Sequence, residues 1–202
     1  MGMKLVLASK NQGKLRELRE ILHAMEVEVL LESEVGVDVD VEETGTTFEE
    51  NSRLKAEAVM QSCGLPSIAD DSGLVVDALG GEPGVYSARY GGLDTDAART
   101  ELLLKNLDHV PEVQRTARFV SVITCCLPDG RVLSARGECE GMITREARGS
   151  DGFGYDPVFL VPALGKTFAE LKPEEKNRIS HRANALKQFQ VQLREEIINA
   201  DK

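Results

Sequence analysis

The chain has 202 residues, 42% of them apolar, which suffices for one substantial core at the upper edge of single-domain size, so one domain over residues 1–202 is expected. Its apolar runs are short and broken by charge, which excludes a membrane helix of about 20 apolar residues. A net charge of −10 disfavours a nucleic-acid backbone as main partner, because duplex binding is driven largely by Lys and Arg displacing counterions, yet it permits a polyphosphate met by a local basic cluster and a divalent cation.

The start, Met1-Gly2-Met3-Lys4, leads directly into Lys4-Leu5-Val6-Leu7-Ala8, a short buried strand, instead of the apolar stretch of a signal peptide. A cytoplasmic protein is expected. Leu15, Leu18, Ile21 and Leu22 follow at helical spacing, so the opening unit is strand, polar loop, helix. Val27 to Leu31 reads as a second strand, and Val35, Val37, Val39, Val41 as a half-buried strand or an extended edge segment. Thr46-Thr47-Phe48-Glu49 has the spacing of a capping box, and Phe48, Leu54 or Lys55, Ala58 and Val59 carry a helical face as far as Gly64. Pro66 to Ala69 leads into a third strand whose end carries Asp70-Asp71-Ser72-Gly73, and open α/β sheets present their chemistry at the carboxyl ends of strands.

Gly80-Gly81-Glu82-Pro83-Gly84 makes a turn, and Thr95 to Leu107 an amphipathic helix through Ala98, Leu102 and Leu103. Residues 116–127 and 131–143 flank Asp129-Gly130, the strongest short hairpin signal in the chain. A glycine-rich loop from Gly149 to Asp156 precedes a short strand, Pro157 to Val161, and Leu186, Phe189, Leu193 and Ile197 stripe a final helix. Cys63, Cys125, Cys126 and Cys139 form no C-x-x-C pair and have no zinc-like His spacing, so they are read as small buried apolar side chains in a reducing compartment.

Four segments could carry chemistry. Ser9-Lys10-Asn11-Gln12-Gly13-Lys14 lies between a strand and a helix N-terminus, where unsatisfied N–H groups and the helix dipole favour phosphate. It is not a Walker A loop, and a polar turn with an N-cap has the same look. Asp70-Asp71-Ser72, together with Glu42-Glu43, offers the hard oxygen ligands that Mg²⁺ prefers; Glu42-Glu43 alone reads as a solvated acidic loop, whereas Asp70-Asp71 directly after Ile68-Ala69 is costly to place without a partner.

Phe153-Gly154-Tyr155-Asp156 holds two of the chain's nine aromatics, six Phe and three Tyr, in one glycine-rich loop. Gly152 and Gly154 let backbone approach a ligand, and Phe153 and Tyr155 offer flat faces for a base, although aromatics also pin loops to cores. Finally, Lys176-Asn177-Arg178-Ile179-Ser180-His181-Arg182 concentrates donors in an otherwise acidic chain; a basic helix start on the surface is the ordinary explanation of such a run.

Together these segments resemble the noncanonical purine nucleoside triphosphate pyrophosphatase family, also called the inosine triphosphate pyrophosphatase family, over almost the whole chain. The residues that carry the resemblance are Ser9 to Lys14, Glu42-Glu43-Thr44-Gly45, Thr47-Phe48-Glu49-Glu50-Asn51, and Ala69-Asp70-Asp71-Ser72-Gly73-Leu74. They continue with Leu79-Gly80-Gly81, Pro83 to Tyr90, Gly152-Phe153-Gly154-Tyr155-Asp156-Pro157, Lys166-Thr167, Glu175-Lys176 and Ser180-His181-Arg182. Lys10, a small extension at the start, and Cys125-Cys126 depart from the pattern without touching the chemistry.

The resemblance implies an α/β fold with a long central mixed sheet flanked by helices, two lobes with an active-site cleft between them, and a homodimer. It further implies Mg²⁺-dependent cleavage of ITP, dITP and XTP to the monophosphate and pyrophosphate. By motif, Ser9, Lys10, Asn11, Gln12, Gly13 and Lys14 bind triphosphate, Asp71 is the catalytic acidic residue and metal ligand, and Ser72 touches substrate. Glu42 is the second metal ligand with Glu43 its rival, and Phe153, Gly154, Tyr155, Asp156, Lys176, His181 and Arg182 contact nucleotide and base. A 6-oxo purine would accept hydrogen bonds from His181, Arg182 or loop N–H groups, where adenine's amino group sets donor against donor. A related pyrophosphatase of the septum-associated type is disfavoured by the Ser180-His181-Arg182 and Phe153-to-Asp156 segments, and a non-catalytic nucleotide-binding module by the presence of Asp71.

Overall fold

In the computed structural model, the described residues are 3–25 and 27–200; Met1-Gly2 and the side chain of Ile197, both used above, lie outside them. Seven strands form one mixed sheet in the order β2-β1-β3-β4-β5-β6-β7, where β1 is Lys4–Leu7, β2 Glu28–Leu31, β3 Ser67–Val76, β4 Thr116–Cys126, β5 Val132–Ile143, β6 Phe159–Val161 and β7 Lys166–Thr167. The helices are α1 (Gln12–Leu22), α2 (Phe48–Cys63), α3 (Asp96–Asn106), α4 (Pro173–Ile179) and α5 (His181–Ala200). The expected α/β class is what the structure has. By compactness the chain divides into two units, the first running to Asp71 with Ser121–Gly137 and the chain from Arg182, the second comprising Ser72–Val120 and Glu138–His181.

In the first unit β1 runs parallel to both β2 and β3, as a strand–helix–strand crossover requires, with Leu7 opposite Leu31 on one side and Ile68 on the other. Leu5, Leu7, Leu15, Leu18, Leu22, Ile68, Ile123, Leu186, Phe189 and Leu193 form its main core. The stripe read from α1 and, of that read from α5, Leu186, Phe189 and Leu193 are the residues that pack, and truncating a fully buried residue such as Phe189 to Ala would cost about 3–5 kcal/mol. Cys125 and Cys126 are buried there as free thiols, and burial pushes Cys125 up to about 12, which makes it inert as a nucleophile.

The extended reading of 35–41 fails at its start, since Val35 closes a 3₁₀ turn, Glu32–Val35, and Gly36 is left-handed at φ +72°; from Val37 to Glu43 the chain runs without ladder pairing, its odd-numbered residues half-buried and its even-numbered ones exposed. α2 begins one residue later than the capping-box reading placed it. Thr47 is the N-cap, its Oγ1 accepting from Glu50 N at 3.1 Å, and Glu50 returns the bond by accepting from Thr46 N and Thr47 N. Glu49, the residue expected in that role, faces outward to Arg136 at 2.8 Å.

β3 is also longer than expected. Asp70 to Gly73 lie inside a ten-residue strand and not at its end, because Leu74 and Val76 continue the buried run and the two carboxylates find cationic partners that make burial affordable.

The second unit has its own core of Leu74, Val76, Leu103, Leu107, Phe119, Val158, Phe159 and Phe168. Phe119 stacks on Phe168 with centroids 5.6 Å apart, and Phe159 tilts against both. Arg115, 2% exposed, closes the end of α3: it donates to the carbonyls of Leu107 (2.6 Å), Val110 (3.3 Å) and Thr144 (2.7 Å).

Candidate functional site

Adjacent residues of a strand point to opposite faces, so Asp70 and Asp71 acquire different surroundings in the first unit. Asp70, 1% exposed, accepts from Arg182 Nε through Oδ2 and from Lys14 Nζ through Oδ1 at 3.5 Å. Arg182 is itself 1% exposed and also reaches Glu17 of α1 at 2.5 Å. Asp71 accepts from Lys55 Nζ through Oδ1 at 2.6 Å, and the same ammonium donates to Glu43 Oε1 at 2.8 Å. The backbone carbonyl of Asp70 lies between the two sets and accepts from both Lys14 (2.9 Å) and Lys55 (3.3 Å).

Asp71 Oδ2 is buried and has no hydrogen-bond partner among the described residues. A carboxylate oxygen in that condition is costly unless something positive or proton-bearing meets it. Burial pushes the Asp71 carboxyl above its ordinary value; Lys55 opposes the rise and Glu43 adds to it. Burial alone would lower Lys55, but Asp71 and Glu43 outweigh it and hold the ammonium above its usual range. Lys14 is pushed down by burial, with Asp70 opposing and the Arg182 and Lys55 charges adding to the depression.

Two carboxylates sharing one ammonium, one of them with a vacant oxygen, suit a hard divalent cation, which is typically held by one or two carboxylates and completed by phosphate oxygens. No group of three His, Cys, Asp or Glu side chains suited to a metal occurs among the described residues. Of the two glutamates left open by the sequence, Glu43 is the one brought to Lys55 and Asp71; Glu42 lies on the outward face of the extended segment.

The loop before α1 is shaped by Asn11, the N-cap, whose Oδ1 accepts from Gly13 N (2.9 Å) and Lys14 N (3.1 Å), and by Ser9 Oγ, which accepts from Asn11 N. Gln12 is exposed. Lys10 points away to an exposed pair with Asp38 at 2.7 Å, so Lys14 is the lysine of this loop that joins the carboxylate cluster.

In the second unit the loop from Gly152 to Asp156 is fixed at several points. Asp156, 3% exposed, accepts from Phe153 N (2.9 Å) and Lys176 Nζ (2.6 Å) through Oδ2. Gly152 sits at φ +79° with Asp156 Oδ2 only 2.1 Å from where a Cβ would be, so no side chain fits there. Gly154 N donates to Asp96 Oδ2 at 2.8 Å, at the start of α3. Tyr155 does not offer an aromatic face: it is 4% exposed and its hydroxyl donates to Ser87 O at 2.9 Å, a pin for the loop. Phe153 does offer one, at 41% exposure, with Lys176 Nζ 4.8 Å from its ring centre.

The run from Lys176 to Arg182 is not a surface helix start. Lys176, His181 and Arg182 are all buried, and the His181 ring stacks on Phe119 at 4.8 Å. Ser72 is half-buried at the beginning of the second unit's share of β3. Sequence reasoning missed Lys55 and Glu17. Lys55 lies one turn beyond Asn51 on the inner face of α2, and a lysine between buried positions 51, 52, 56 and 59 was the available signal.

Residues 5–192 match the sequence profile of the Ham1 family. A dITP/XTP pyrophosphatase of Thermus thermophilus is 52% identical over 92% of this chain and 89% of its own length, and one of Geobacillus kaustophilus is 51% identical over 95% of each. Among solved structures, the Ham1 protein of Staphylococcus aureus superposes with TM-score 0.87 at 46% identity, covering 96% of this chain and 99% of that one. A HAM1 protein from Coxiella burnetii gives 0.89 at 45% identity, with the same coverage. A match through both compact units, with fold and sequence in agreement, places the chain in the Ham1 family.

Proposed function

We infer that the chain is a nucleoside triphosphate pyrophosphatase hydrolysing noncanonical purine nucleotides, ITP, dITP and XTP, to the monophosphate and pyrophosphate. Relatives at about half identity carry the name dITP/XTP pyrophosphatase, and the profile match crosses both units, which supports one catalytic domain over residues 1–202. The observation that carries the chemistry is the buried, unpartnered Asp71 Oδ2 beside Lys55 and Glu43. Cytoplasmic location and a homodimer are part of the same reading; no helix among the described residues is long and apolar enough to cross a membrane.

The donor set fits Mg²⁺ held by Asp71 and Glu43, with Glu42 the alternative on sequence grounds. When bound, the cation neutralises charge building on the departing pyrophosphate. Lys14 and the Ser9-to-Gly13 loop draw in and orient the triphosphate, with Ser72 beside it. The Asp71 carboxylate takes the proton of the water that attacks the α-phosphorus, and Lys55 holds it in place through Oδ1.

Phe153 stacks on the purine, the Phe153-to-Asp156 backbone shapes its edge, and His181 donates to the 6-oxo group. Arg182 acts mainly by fixing Asp70, since two of its nitrogens are committed to Asp70 and Glu17. The test is a panel of nucleoside triphosphates with Mg²⁺, pyrophosphate and orthophosphate being assayed separately. Pyrophosphate from ITP, dITP and XTP with little from ATP or CTP is expected; stepwise orthophosphate release, or equal turnover of ATP, overturns the assignment.

A further inference from the structure

Glu43 belongs to a stretch without ladder partners, yet its carboxylate must sit within 2.8 Å of Lys55. What fixes it comes from the first two turns of α2. Gly45, two residues after Glu43, donates its N–H to Asn51 Oδ1 at 2.8 Å, one helical turn before Lys55 on the same buried face. The fit is tight: a Cβ on Gly45 would stand 2.6 Å from Asn51 Oδ1 and 2.7 Å from Glu50 Cβ. Gly45 is therefore required for close approach. Glu50 adds outer stitches, accepting from Thr46 N, Thr46 Oγ1 and Thr47 N.

Asn51 is 0% exposed, and its Nδ2 has no acceptor among the described residues. The bond from Gly45 fixes which way the amide faces, so the side chain keeps a buried donor unpaired to supply its oxygen. An apolar residue would spare that cost and fill the same core. The oxygen is the function of the residue.

We propose that Asn51 and Gly45 form a latch that positions the Glu43 carboxylate for the divalent cation, Asn51 being a positioning residue that touches neither metal nor substrate. This rests on the reading of Glu43 as a metal ligand. Without the latch Glu43 still has Lys55, but its backbone is held only from Thr46 onward, through Glu50, and the cation must bear the cost of ordering it. Metal affinity falls while the chemistry at saturating metal is kept.

The test uses the full chain and Mn²⁺ alone as probe, its binding followed by water-proton relaxation into the millimolar range without nucleotide, alongside the Mg²⁺ dependence of ITP turnover. Asn51→Ala and Gly45→Ala should each raise the Mn²⁺ Kd about ten-fold, the scale of losing an outer-sphere partner. Each should raise the Mg²⁺ concentration for half-maximal rate in parallel and leave kcat at saturating Mg²⁺ within about two-fold. The double variant should be no worse than the weaker single one, because one contact is removed by either change. A purely structural role would lower the melting temperature and leave the Kd unmoved. If Asn51→Ala does not fold, Gly45→Ala decides alone. Glu43→Gln sets the reference: weaker Mn²⁺ binding there with a wild-type Kd in the latch variants overturns the latch only, whereas an unchanged Kd in Glu43→Gln, or no binding by the wild type, overturns the metal reading and the latch with it.

Discussion

The carboxylate cluster of the first unit and the Phe153-to-Asp156 loop of the second are built on opposite principles. In the cluster, side chains from four elements, α1, α2, β3 and α5, supply full charges: Lys14, Lys55, Asp70 and Arg182 are linked by ion pairs and by one shared carbonyl. In the loop, the backbone does most of the positioning, through glycine, the N–H groups of Phe153 and Gly154, and one buried hydroxyl, with Lys176–Asp156 as its buried ion pair. The difference suits two tasks. On the proposed reading, the charges would meet what every nucleoside triphosphate shares, and the shaped backbone the edge by which bases differ. Damage to the first should therefore be uniform across substrates, and damage to the second selective.

The largest effect expected is on turnover. Asp71→Asn keeps the volume and removes the proposed anionic ligand and proton acceptor, so kcat/KM should fall by about 10²–10⁴-fold on every substrate. Pyrophosphate release by a protein with wild-type circular dichroism measures it, and near-normal turnover would move the catalytic role to another carboxylate. Next comes stability: Arg182→Ala leaves Asp70 buried with a weakened set of partners and should cost about 3–5 kcal/mol in urea unfolding. A loss below about 1 kcal/mol would show that the network is solvated in solution.

Selectivity is the third effect. His181→Ala should narrow the ratio of kcat/KM for ITP over ATP on the order of ten-fold, whereas Lys14→Ala should weaken both substrates and leave the ratio alone. Equal losses on both substrates in His181→Ala would place base selection in the Phe153 loop instead. A fourth, smaller effect is on pH. Burial lowers the Lys14 pKa, so its charge is lost before the ordinary lysine value of 10.5 is reached, and kcat/KM should decline on an alkaline limb below that pH. The limb should vanish in Lys14→Arg, which cannot be deprotonated in this range. Smallest of all, Lys10→Ala removes an exposed pair with Asp38 and should change neither melting temperature nor kcat/KM beyond error; a clear loss of phosphate affinity would return Lys10 to the site.

Periodicity made most of the scaffold legible before the structure. The leucines of α1, Leu186, Phe189 and Leu193 of α5 and the Asp129-Gly130 hairpin all fall where expected, because apolar spacing and turn chemistry are local signals. The site was legible by residue type and less so by partnership. Nothing local says that Arg182 meets Asp70 across 112 positions of sequence, or that Lys55 bridges Glu43 and Asp71. One distinction was within reach. The valine alternation from 35 to 41, continued by two residues, puts Glu43 on the inner face and Glu42 on the outer, which is the parity the structure shows. The end of β3 was missed for the reverse reason: two aspartates look like a strand terminator until their cations are known.

The two arginines buried among the described residues answer differently to the loss of a neighbour. Arg182 is held by the carboxylates of Asp70 and Glu17, each a full charge, so truncating either leaves a buried cation short of a counter-charge. Arg115 is held by the carbonyls of Leu107, Val110 and Thr144, main-chain groups that no side-chain substitution removes, and its guanidinium closes the negative end of α3. A single substitution beside it can therefore unbalance the cation of the first unit, whereas the bracket of the second is undone only by replacing Arg115 itself or by moving the backbone.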